Sequence, residues 1–298
     1  AVRAQDEARD AFEDARTAVR RARRDGGDVG VREEALAAAK RGMQGADAAA
    51  VAALVDLGAH AAIAARELAA AADVTGVCVR DDEQLRAVVT GGDGLLAGAS
   101  EGDMIAVHST VLPDTVRELA VLAEQQGVLL IDACITGGAS GAEQGTLTSM
   151  VAGDQPALDR ARPYLDAFSA SVLATGPIGS AAATKLCNSL VTYLEFLAAF
   201  ESRLLAAGSG LDPDTLERVL ISNGNLTEQM QSFLALHKLP AAAREDAGLQ
   251  TMLAGFAGLA EKDLALTLEY AAQNGVELPG TERGRRLMRR VYGVIDPA

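Results

Sequence analysis

The chain has 298 residues, of which 49% are hydrophobic, 23% charged and 3% aromatic, and its formal net charge is -14 at pH 7. This balance is typical of a globular protein with one large or two medium domains. Nucleic acids and anionic membranes need basic surfaces, so the acidic balance argues against either as the main partner.

The cysteines and the apolar runs indicate the cellular compartment in which the protein is expected. Cys78, Cys134 and Cys187 lie in apolar contexts without the spacing of metal ligands, so we expect reduced, buried thiols, no metal site and a cytoplasmic location. No apolar run reaches the roughly 20 residues of a membrane span, and residues 1–13 look acidic and helical rather than like a signal peptide. We therefore expect no membrane partner.

Residues 1–45 differ from the rest of the chain. Their run 20–24 is basic, its flanks carry mixed charges, and residues 25–30 interrupt two helical patterns. β-Branched residues are few and no alternating apolar run occurs, so we predict an atypical segment of helices outside any sheet.

From residue 46 to residue 176 the pattern alternates between helix and strand. Helices are predicted at 46–57, from the strand at 60–63 to residue 72, at 83–90, from Pro113 and at 155–168. Strands are predicted at 60–63, 74–79, 104–108, 128–131, 147–152 and 172–174. This alternation predicts an α/β domain with a mostly parallel sheet covered by helices.

Residues 177–298 contain no predicted strand. A long helix is predicted at 181–207, followed by helices at 213–222, 226–237, 255–274 and 281–291. We therefore expect an all-α domain joined to the sheet domain by the long helix. Two of its helices, 226–237 and 255–274, have apolar residues on more than one face, which favours self-association.

The long helix has two sets of side chains at helical spacing. The apolar set is Leu186, Leu190, Leu194, Leu197 and Phe200, and the polar set is Lys185, Asn188, Ser189 and Thr192. A solvated face is one explanation of the polar set, because most helical lysines lie on the surface. A cleft better explains a single charge among small uncharged groups, and partial desolvation there favours the neutral amine that proton transfer requires.

Three predicted strand ends are rich in polar or small residues. They are residues 79–82, 107–110 and 131–138. Ligands of doubly wound sheets bind at the carboxyl ends of strands. The third end continues as a glycine-rich loop to residue 147, and its amides together with the Thr136 hydroxyl can hold a carboxylate. A plain turn needs fewer glycines, so we favour a functional loop.

Residues 132–145, 176–189 and 256–263 resemble, in this order, motifs of the β-hydroxyacid dehydrogenase family. This family includes 3-hydroxyisobutyrate dehydrogenase and tartronate semialdehyde reductase, and it is related to 6-phosphogluconate dehydrogenase. The resemblance covers roughly residues 48–291. It implies a Rossmann-like sheet, incomplete at its N-terminal part, before an all-α C-terminal domain. It also implies NAD or NADP as cofactor, a small hydroxy acid as substrate, and a homodimer or homotetramer.

On the substrate side, the resemblance makes Lys185 the general acid/base that acts on the substrate hydroxyl. Thr136, Gly137 and Gly138 correspond to the loop that binds the substrate carboxylate, with Thr136 where the family usually has Ser. Four residues after its lysine the family usually has Asn. Here that position is Ser189, with Asn188 just before it, so both are candidate substrate-binding residues.

On the cofactor side, the resemblance places Thr110 against the nicotinamide and brings the pair Lys262 and Asp263 to the cofactor. The family also opens with a strand and a G-x-G-x-x-G turn that binds the pyrophosphate. Residues 1–45 contain no such fingerprint, and their glycine clusters at 26–30 and 42–45 have neither its spacing nor a preceding strand. We therefore expect weak cofactor affinity and an exposed edge at strand 74–79.

These patterns predict three parts: residues 1–45, a dinucleotide-binding domain at 46–176 and an all-α domain at 177–298. The leading hypothesis is an NAD(P)-dependent dehydrogenase of a small 3-hydroxy acid or semialdehyde. The absent fingerprint leaves three explanations open: a truncated or rearranged first unit, a front end read from a wrong frame or start, and a protein without redox chemistry. The last would be a non-catalytic small-acid-binding protein or an oligomeric scaffold.

Overall fold

The computed structural model describes residues 51–52, 55–56 and 58–295. The predictions for residues 1–45, and most of the predicted helix at 46–57, lie outside these residues. The chain divides into two compact units, Ala1–Lys185 and Leu186–Ala298. This division falls inside the long helix, whereas the sequence places a domain limit at residue 176, just before that helix begins.

The first unit contains a five-stranded sheet in the order β1-β2-β3-β4-β5. Its strands are β1 Val74–Val77, β2 Met104–Val107, β3 Leu129–Thr136, β4 Leu147–Ala152 and β5 Ser169–Gly176. Its helices are α1 Ala65–Ala69, α2 Asp82–Thr90, α3 Pro113–Glu124, α4 Gly138–Gln144 and α5 Gln155–Asp166. All neighbouring strands are parallel except β3 and β4. The predicted mostly parallel sheet is therefore confirmed.

Two strand predictions in this unit need correction. Residues 60–62 have no regular structure, because the Ile63 N–H donates to Glu67 Oε2 at the start of α1 and the Ile63 side chain is 83% exposed. The predicted strand at 128–131 runs on to Thr136, since residues 132–136 of β3 pair antiparallel with residues 148–152 of β4. Residues 132–134 thus lie within a strand and not in a loop.

Both faces of the sheet are covered, which explains why β2 is buried throughout. Ile105 and Val107 pack in one cluster with α2 and α3, whereas Met104 and Ala106 pack on the other face with α5. Alternate residues of a strand point to opposite faces, so an uninterrupted apolar run is typical of such a strand.

The regular elements of the second unit are all helices in its described residues, as predicted. The long helix α6, Ser180–Gly208, leads into it. The helices that follow are α7 Pro213–Ser222, α8 Glu228–Leu236, α9 Ala241–Arg244, α10 Ala247–Gln273, α11 Pro279–Arg285 and α12 Met288–Val291. Its core includes Phe196 stacked on Phe233, with ring centroids 4.4 Å apart, packed with Leu264 and Met288.

His108, which follows β2, is half-buried on the α5 side of the sheet. Its Nδ1 lies 2.7 Å from the Ala133 carbonyl oxygen, and its Nε2 lies 2.7 Å from the Tyr164 hydroxyl. Burial lowers the pKa of His108, so the ring is neutral, with Nδ1–H donating to Ala133 and Nε2 accepting from Tyr164. Glycine at position 76 leaves room for this pair, because a Cβ there would overlap the Tyr164 hydroxyl and lie 3.2 Å from His108 Nε2.

We expect Gly76→Ala to lower the free energy of unfolding by about 1–3 kcal/mol, because the added methyl group overlaps Tyr164. Tyr164→Phe removes the hydroxyl that the methyl group meets, but leaves His108 Nε2 without its donor. The double variant should therefore be more stable than the sum of the two single losses predicts. Urea unfolding of the four proteins measures this coupling, and purely additive losses would contradict it.

Candidate active site

The carboxyl end of β3 projects beyond that of its neighbour β2. Pairing between the two strands ends at Val107 and Asp132, whereas β3 continues to Thr136 along β4. Thr136 and the glycines after it therefore extend past the end of β2. This is the edge at which ligands of doubly wound sheets bind.

The glycines after Thr136 adopt backbone conformations that other residues avoid. Gly137 has φ 126° and Gly138 has φ 64°. A Cβ built on Gly138 would meet no heavy atom within 4 Å, so this residue faces open space. Residues 138–144, predicted as a loop, form the short helix α4, whose N-cap Gly137 offers no side-chain cap. The first helical amides have no intrahelical acceptor, so this turn suits a carboxylate.

The polar residues at the end of β1 hold helices together. Asp81 Oδ1 accepts the Gln84 N–H at 2.8 Å and so caps α2. Asp82 Oδ1 accepts the Leu112 N–H at 3.0 Å and also the Thr115 hydroxyl at the start of α3. The two carboxylates that the sequence marks as chemically notable are thus engaged with the backbone and side chains of α2 and α3.

Ser109 ties the ends of β1 and β2 together. The Val79 N–H donates to Ser109 Oγ at 2.8 Å, and Ser109 is buried. Thr110 comes next in the chain and is half-buried. The structure therefore places Thr110 and the Thr136–Gly138 segment at the carboxyl ends of adjacent strands.

Asp132 is a buried carboxylate within β3, with 0% relative exposure. Its Oδ2 accepts the Ala182 N–H at 2.8 Å, and the Cys134 thiol donates to its Oδ1 at 3.6 Å. Burial raises the pKa of Asp132 to about 6, although hydrogen bonds from the amides of Gly179, Ala181 and Ala182 and from the Cys134 thiol lower it. Asp132 thus links the sheet to the first turn of α6.

Lys185 lies on α6, one turn after Ala182, and is half-buried. Leu186 is buried as predicted, but Leu190 and Leu194 are only half-buried, whereas Ser189 is buried at 3% exposure. The predicted division into one apolar and one polar face is therefore wrong at Ser189. Its hydroxyl has a buried partner, which explains how a polar group can lie there.

That partner is Asp263 of α10, itself 3% exposed. The Ser189 hydroxyl donates to Asp263 Oδ2 at 3.2 Å, and Lys262 Nζ lies 2.8 Å from Asp263 Oδ1. Tyr193 also hydrogen-bonds to Asp263, and burial, with the Asp263 charge, raises the pKa of Tyr193. The second unit thus brings together Ser189, Lys262 and Asp263, three of the residues that the sequence singles out. Asn188, on the same helix, is half-buried.

Asp132 and Tyr193 were not predicted from the sequence as members of these clusters. Each left a signal: Asp132 is a charged residue inside the apolar run 129–135, and Tyr193 follows Ser189 by one helical turn. Such a charge inside a buried strand requires a partner, but only the fold identifies which one.

The cysteine prediction holds for Cys134, which is buried, but Cys78 and Cys187 are exposed. Cys78 follows the last residue of β1, and Cys187 lies on the outer side of α6, next to the buried Leu186. The apolar sequence around each one therefore reflects its neighbours.

In the described part of the chain, no group of three possible metal ligands occurs. None of the helices described is long and apolar enough to cross a membrane.

Residues 37–176 match the family model of the NAD binding domain of 6-phosphogluconate dehydrogenase. The chain is 32% identical over 230 residues to the NAD-dependent L-serine dehydrogenase of Pseudomonas aeruginosa, an alignment that covers 76% of this chain and 75% of that protein. It is 30% identical to the 3-hydroxyisobutyrate dehydrogenase of the same organism, with 74% of each chain covered. The chain belongs to the β-hydroxyacid dehydrogenase family.

Solved structures agree with this membership. A 3-hydroxyisobutyrate dehydrogenase from Mycobacterium tuberculosis with L-serine has a TM-score of 0.65 and 27% identity, and 84% of each chain is covered. A structure titled Psf3 in complex with NADP+ and 2-OPP has a TM-score of 0.68 and 26% identity, with 82% of this chain and 84% of that chain covered. The present dehydrogenase is thus an oxidoreductase with NAD or NADP as cofactor.

The described residues fit the reacting end of such a cofactor and its substrate. The open space in front of Gly138 and the half-buried Thr110 lie at the carboxyl edge of the sheet of the dehydrogenase. Uncapped amides and hydroxyl groups there can bind a small carboxylate and a carboxamide. Residues 1–45, which contain no pyrophosphate fingerprint, lie outside the part of the chain described.

We expect Asp132→Asn to change how stability depends on pH. The folded pKa of about 6 exceeds the ordinary 3.8, so the folded state is favoured by protonation, and the free energy of unfolding falls as pH rises from about 4 to 6. Between pH 5 and pH 8 this loss is about 1.4 kcal/mol, and the asparagine variant lacks it. Urea unfolding of both proteins at the two pH values tests this. Subtracting one free energy of unfolding from the other at each pH cancels the pH dependence that other groups, such as His108, contribute to both proteins. A constant difference would contradict it.

Proposed function

We propose that this dehydrogenase oxidises a small 3-hydroxy acid, or reduces the matching semialdehyde, with Lys185 as the general acid/base. The names of three relatives support this substrate class: L-serine dehydrogenase, 3-hydroxyisobutyrate dehydrogenase and the 2-(hydroxymethyl)glutarate dehydrogenase of Eubacterium barkeri. In all three named substrates, a primary hydroxyl lies on the carbon that is β to a carboxyl group. The observation that carries the proposal is the uncapped glycine turn beside Thr136, within the same unit as Lys185.

The turn binds the carboxylate in this proposal. Backbone amides around Gly137 and Gly138, with the Thr136 hydroxyl, donate hydrogen bonds to the substrate carboxylate. Thr136 retains the hydroxyl of the serine usual in the family, and its additional methyl group narrows the site. A carboxylate held at this turn fixes where the substrate hydroxyl lies.

Lys185 exchanges the proton of that hydroxyl. In the oxidation direction, neutral Nζ takes the hydroxyl proton while the carbinol carbon loses its hydride, and in reduction the ammonium returns the proton to the developing alkoxide. NAD(P), when bound, supplies the hydride acceptor or donor. Lys185 is half-buried, so part of its side chain is shielded from bulk water, which suits proton exchange with a bound substrate.

Asn188, Thr110 and Lys262 have supporting roles in the proposal. Asn188 orients the substrate, Thr110 contacts the nicotinamide end, and the half-buried Lys262 reaches the cofactor. Asp263 and Ser189 act less directly, because their side chains are bonded to each other. We propose that Asp263 fixes the direction of Lys262, and that Ser189 stabilises the helix on which Asn188 lies.

We expect Lys185→Ala to lower kcat by about 10² to 10⁴, the usual contribution of general acid/base catalysis, with little loss of stability. The measurement is NAD(P)H absorbance with L-serine, 3-hydroxyisobutyrate and 2-(hydroxymethyl)glutarate as substrates. Lys262→Ala is the matched control, for which the KM of the cofactor rises more than kcat falls. If Lys185→Ala kept most of the activity, the assignment of the base would be wrong.

Titration of NADH and NADPH fluorescence separates the enzyme from its alternative. Saturable binding of either cofactor supports the dehydrogenase. Absence of binding by a folded sample favours the alternative derived from the sequence, a small-acid-binding protein or scaffold. Weak saturation agrees with the expectation based on the absent fingerprint.

We also propose that the dehydrogenase is a cytoplasmic homodimer or homotetramer that associates through its helical unit. Several large apolar side chains of this unit are exposed, including Leu205 at 72%, with Leu204, Leu211, Val219 and Ile221. Sedimentation velocity at micromolar concentration should show a dimer or larger species. A monomer would contradict this expectation.

A further inference from the structure

We propose that Asp132 is a positioning residue, which holds the first turn of α6 so that Lys185 stays in register with the substrate-carboxylate turn. This inference rests on the proposed roles of Lys185 and Thr136–Gly138. Asp132 itself touches neither substrate nor cofactor in this proposal.

The first step is the capping of α6. Ala182 Nα–H donates to Asp132 Oδ2 at 2.8 Å, and the amides of Gly179 and Ala181 also hydrogen-bond to this carboxylate. Gly179, which precedes the helix, has no side chain to cap it, and the Ser180 hydroxyl lies 2.9 Å from the Thr175 hydroxyl. A carboxylate fifty residues earlier in the chain therefore satisfies amides that an α-helix leaves without acceptors.

The second step is that Asp132 and the substrate-carboxylate turn share a strand. Side chains of β3 alternate between faces, so Asp132 and Thr136 point to the same face, where Ala181 and Ala182 also pack. Three residues of continuous, paired strand separate Asp132 from Thr136. The distance between the capped helix and the turn is therefore set by rigid elements.

The third step is the close packing around the start of α6. Gly179 has φ 90°, and a Cβ there would lie 2.8 Å from Arg117 Nε and 3.1 Å from the Pro113 carbonyl oxygen. This loop therefore has little room to shift. Lys185 follows Ala182 by three residues, about 4.5 Å along the helix axis, so a shift at the cap is transmitted to Lys185.

Capping α6 with Asp132 also costs free energy, because it buries a charged group. A serine or asparagine at the N-cap satisfies helix amides without burying a charge. Asp132 instead reaches the helix from the centre of the sheet, where an N-cap residue of α6 cannot lie. The position of Asp132 therefore suits a residue that fixes α6 relative to β3 better than one that only ends the helix.

The test compares Asp132→Ala, which removes the acceptor, with Asp132→Asn, which keeps one. At pH 8 we expect kcat to fall about 100-fold in the alanine variant, as for a reacting group displaced by about 1 Å, and to stay within about threefold in the asparagine variant. The KM of the cofactor should stay unchanged in both. Ser149→Ala is the matched control, because Ser149 is buried on the opposite face of the sheet with a 2.7 Å bond to Ser169.

A double-variant cycle with Lys185→Ala shows whether Asp132 acts through Lys185. If it does, Asp132→Ala causes no further loss of kcat in the Lys185→Ala background. An equal loss in both backgrounds, or the same loss in Ser149→Ala, overturns the proposal. Retained activity of Lys185→Ala alone indicates that the proposed base is wrong.

Amide hydrogen exchange gives a readout that does not depend on activity. In the unaltered protein the Ala182 amide should exchange at least about tenfold more slowly than the same amide in an unstructured chain, and Asp132→Ala should remove this protection while Asp132→Asn keeps it. Because the first comparison needs no variant, it decides the capping step even if Asp132→Ala fails to fold. An unprotected Ala182 amide in the unaltered protein overturns the proposal.

Discussion

The hydrogen bond from the Ala182 amide to the Asp132 carboxylate is the contact on which the candidate site depends. It joins the strand that ends at Thr136 to the helix that carries Lys185. The first amides of any helix need acceptors, and those of α6 are buried, so leaving them unpaired would cost free energy. Asp132 removes that cost from within the sheet, at the expense of burying a charge.

A second buried carboxylate acts on the same helix further along. Asp263 accepts hydrogen bonds from the Ser189 hydroxyl and from Tyr193, and it lies beside Lys262 Nζ. Asp132 therefore holds the first turn of α6, and Asp263 holds the turns after Lys185. Helix α6 is defined by polar contacts at both places, in addition to its apolar packing.

The departures from the family pattern have physical consequences within this arrangement. Thr136 keeps a hydroxyl donor, so the proposed binding of a carboxylate requires no other change in the turn. Ser189 is shorter than the asparagine usual there, and its hydroxyl is engaged by Asp263. Asn188 lies next to Ser189 on the same helix and is half-buried.

Local sequence patterns were sufficient to predict the element types and most of their limits. Alternating apolar strands and helices specified a mostly parallel sheet, and the glycines and prolines around α6 and α7 marked where each helix begins and ends, because these signals are local. Ordered motifs also led to Lys185, Thr136 and the glycine turn. The folded structure was needed to show that β3 continues to Thr136, that Ser189 lies inward, and that Asp82 holds the start of α3. Each of these depends on a partner distant in sequence: β4 for the strand, Asp263 for the serine, and Leu112 and Thr115 for Asp82. A local pattern specifies which groups need hydrogen bonds, whereas the fold decides which partners provide them.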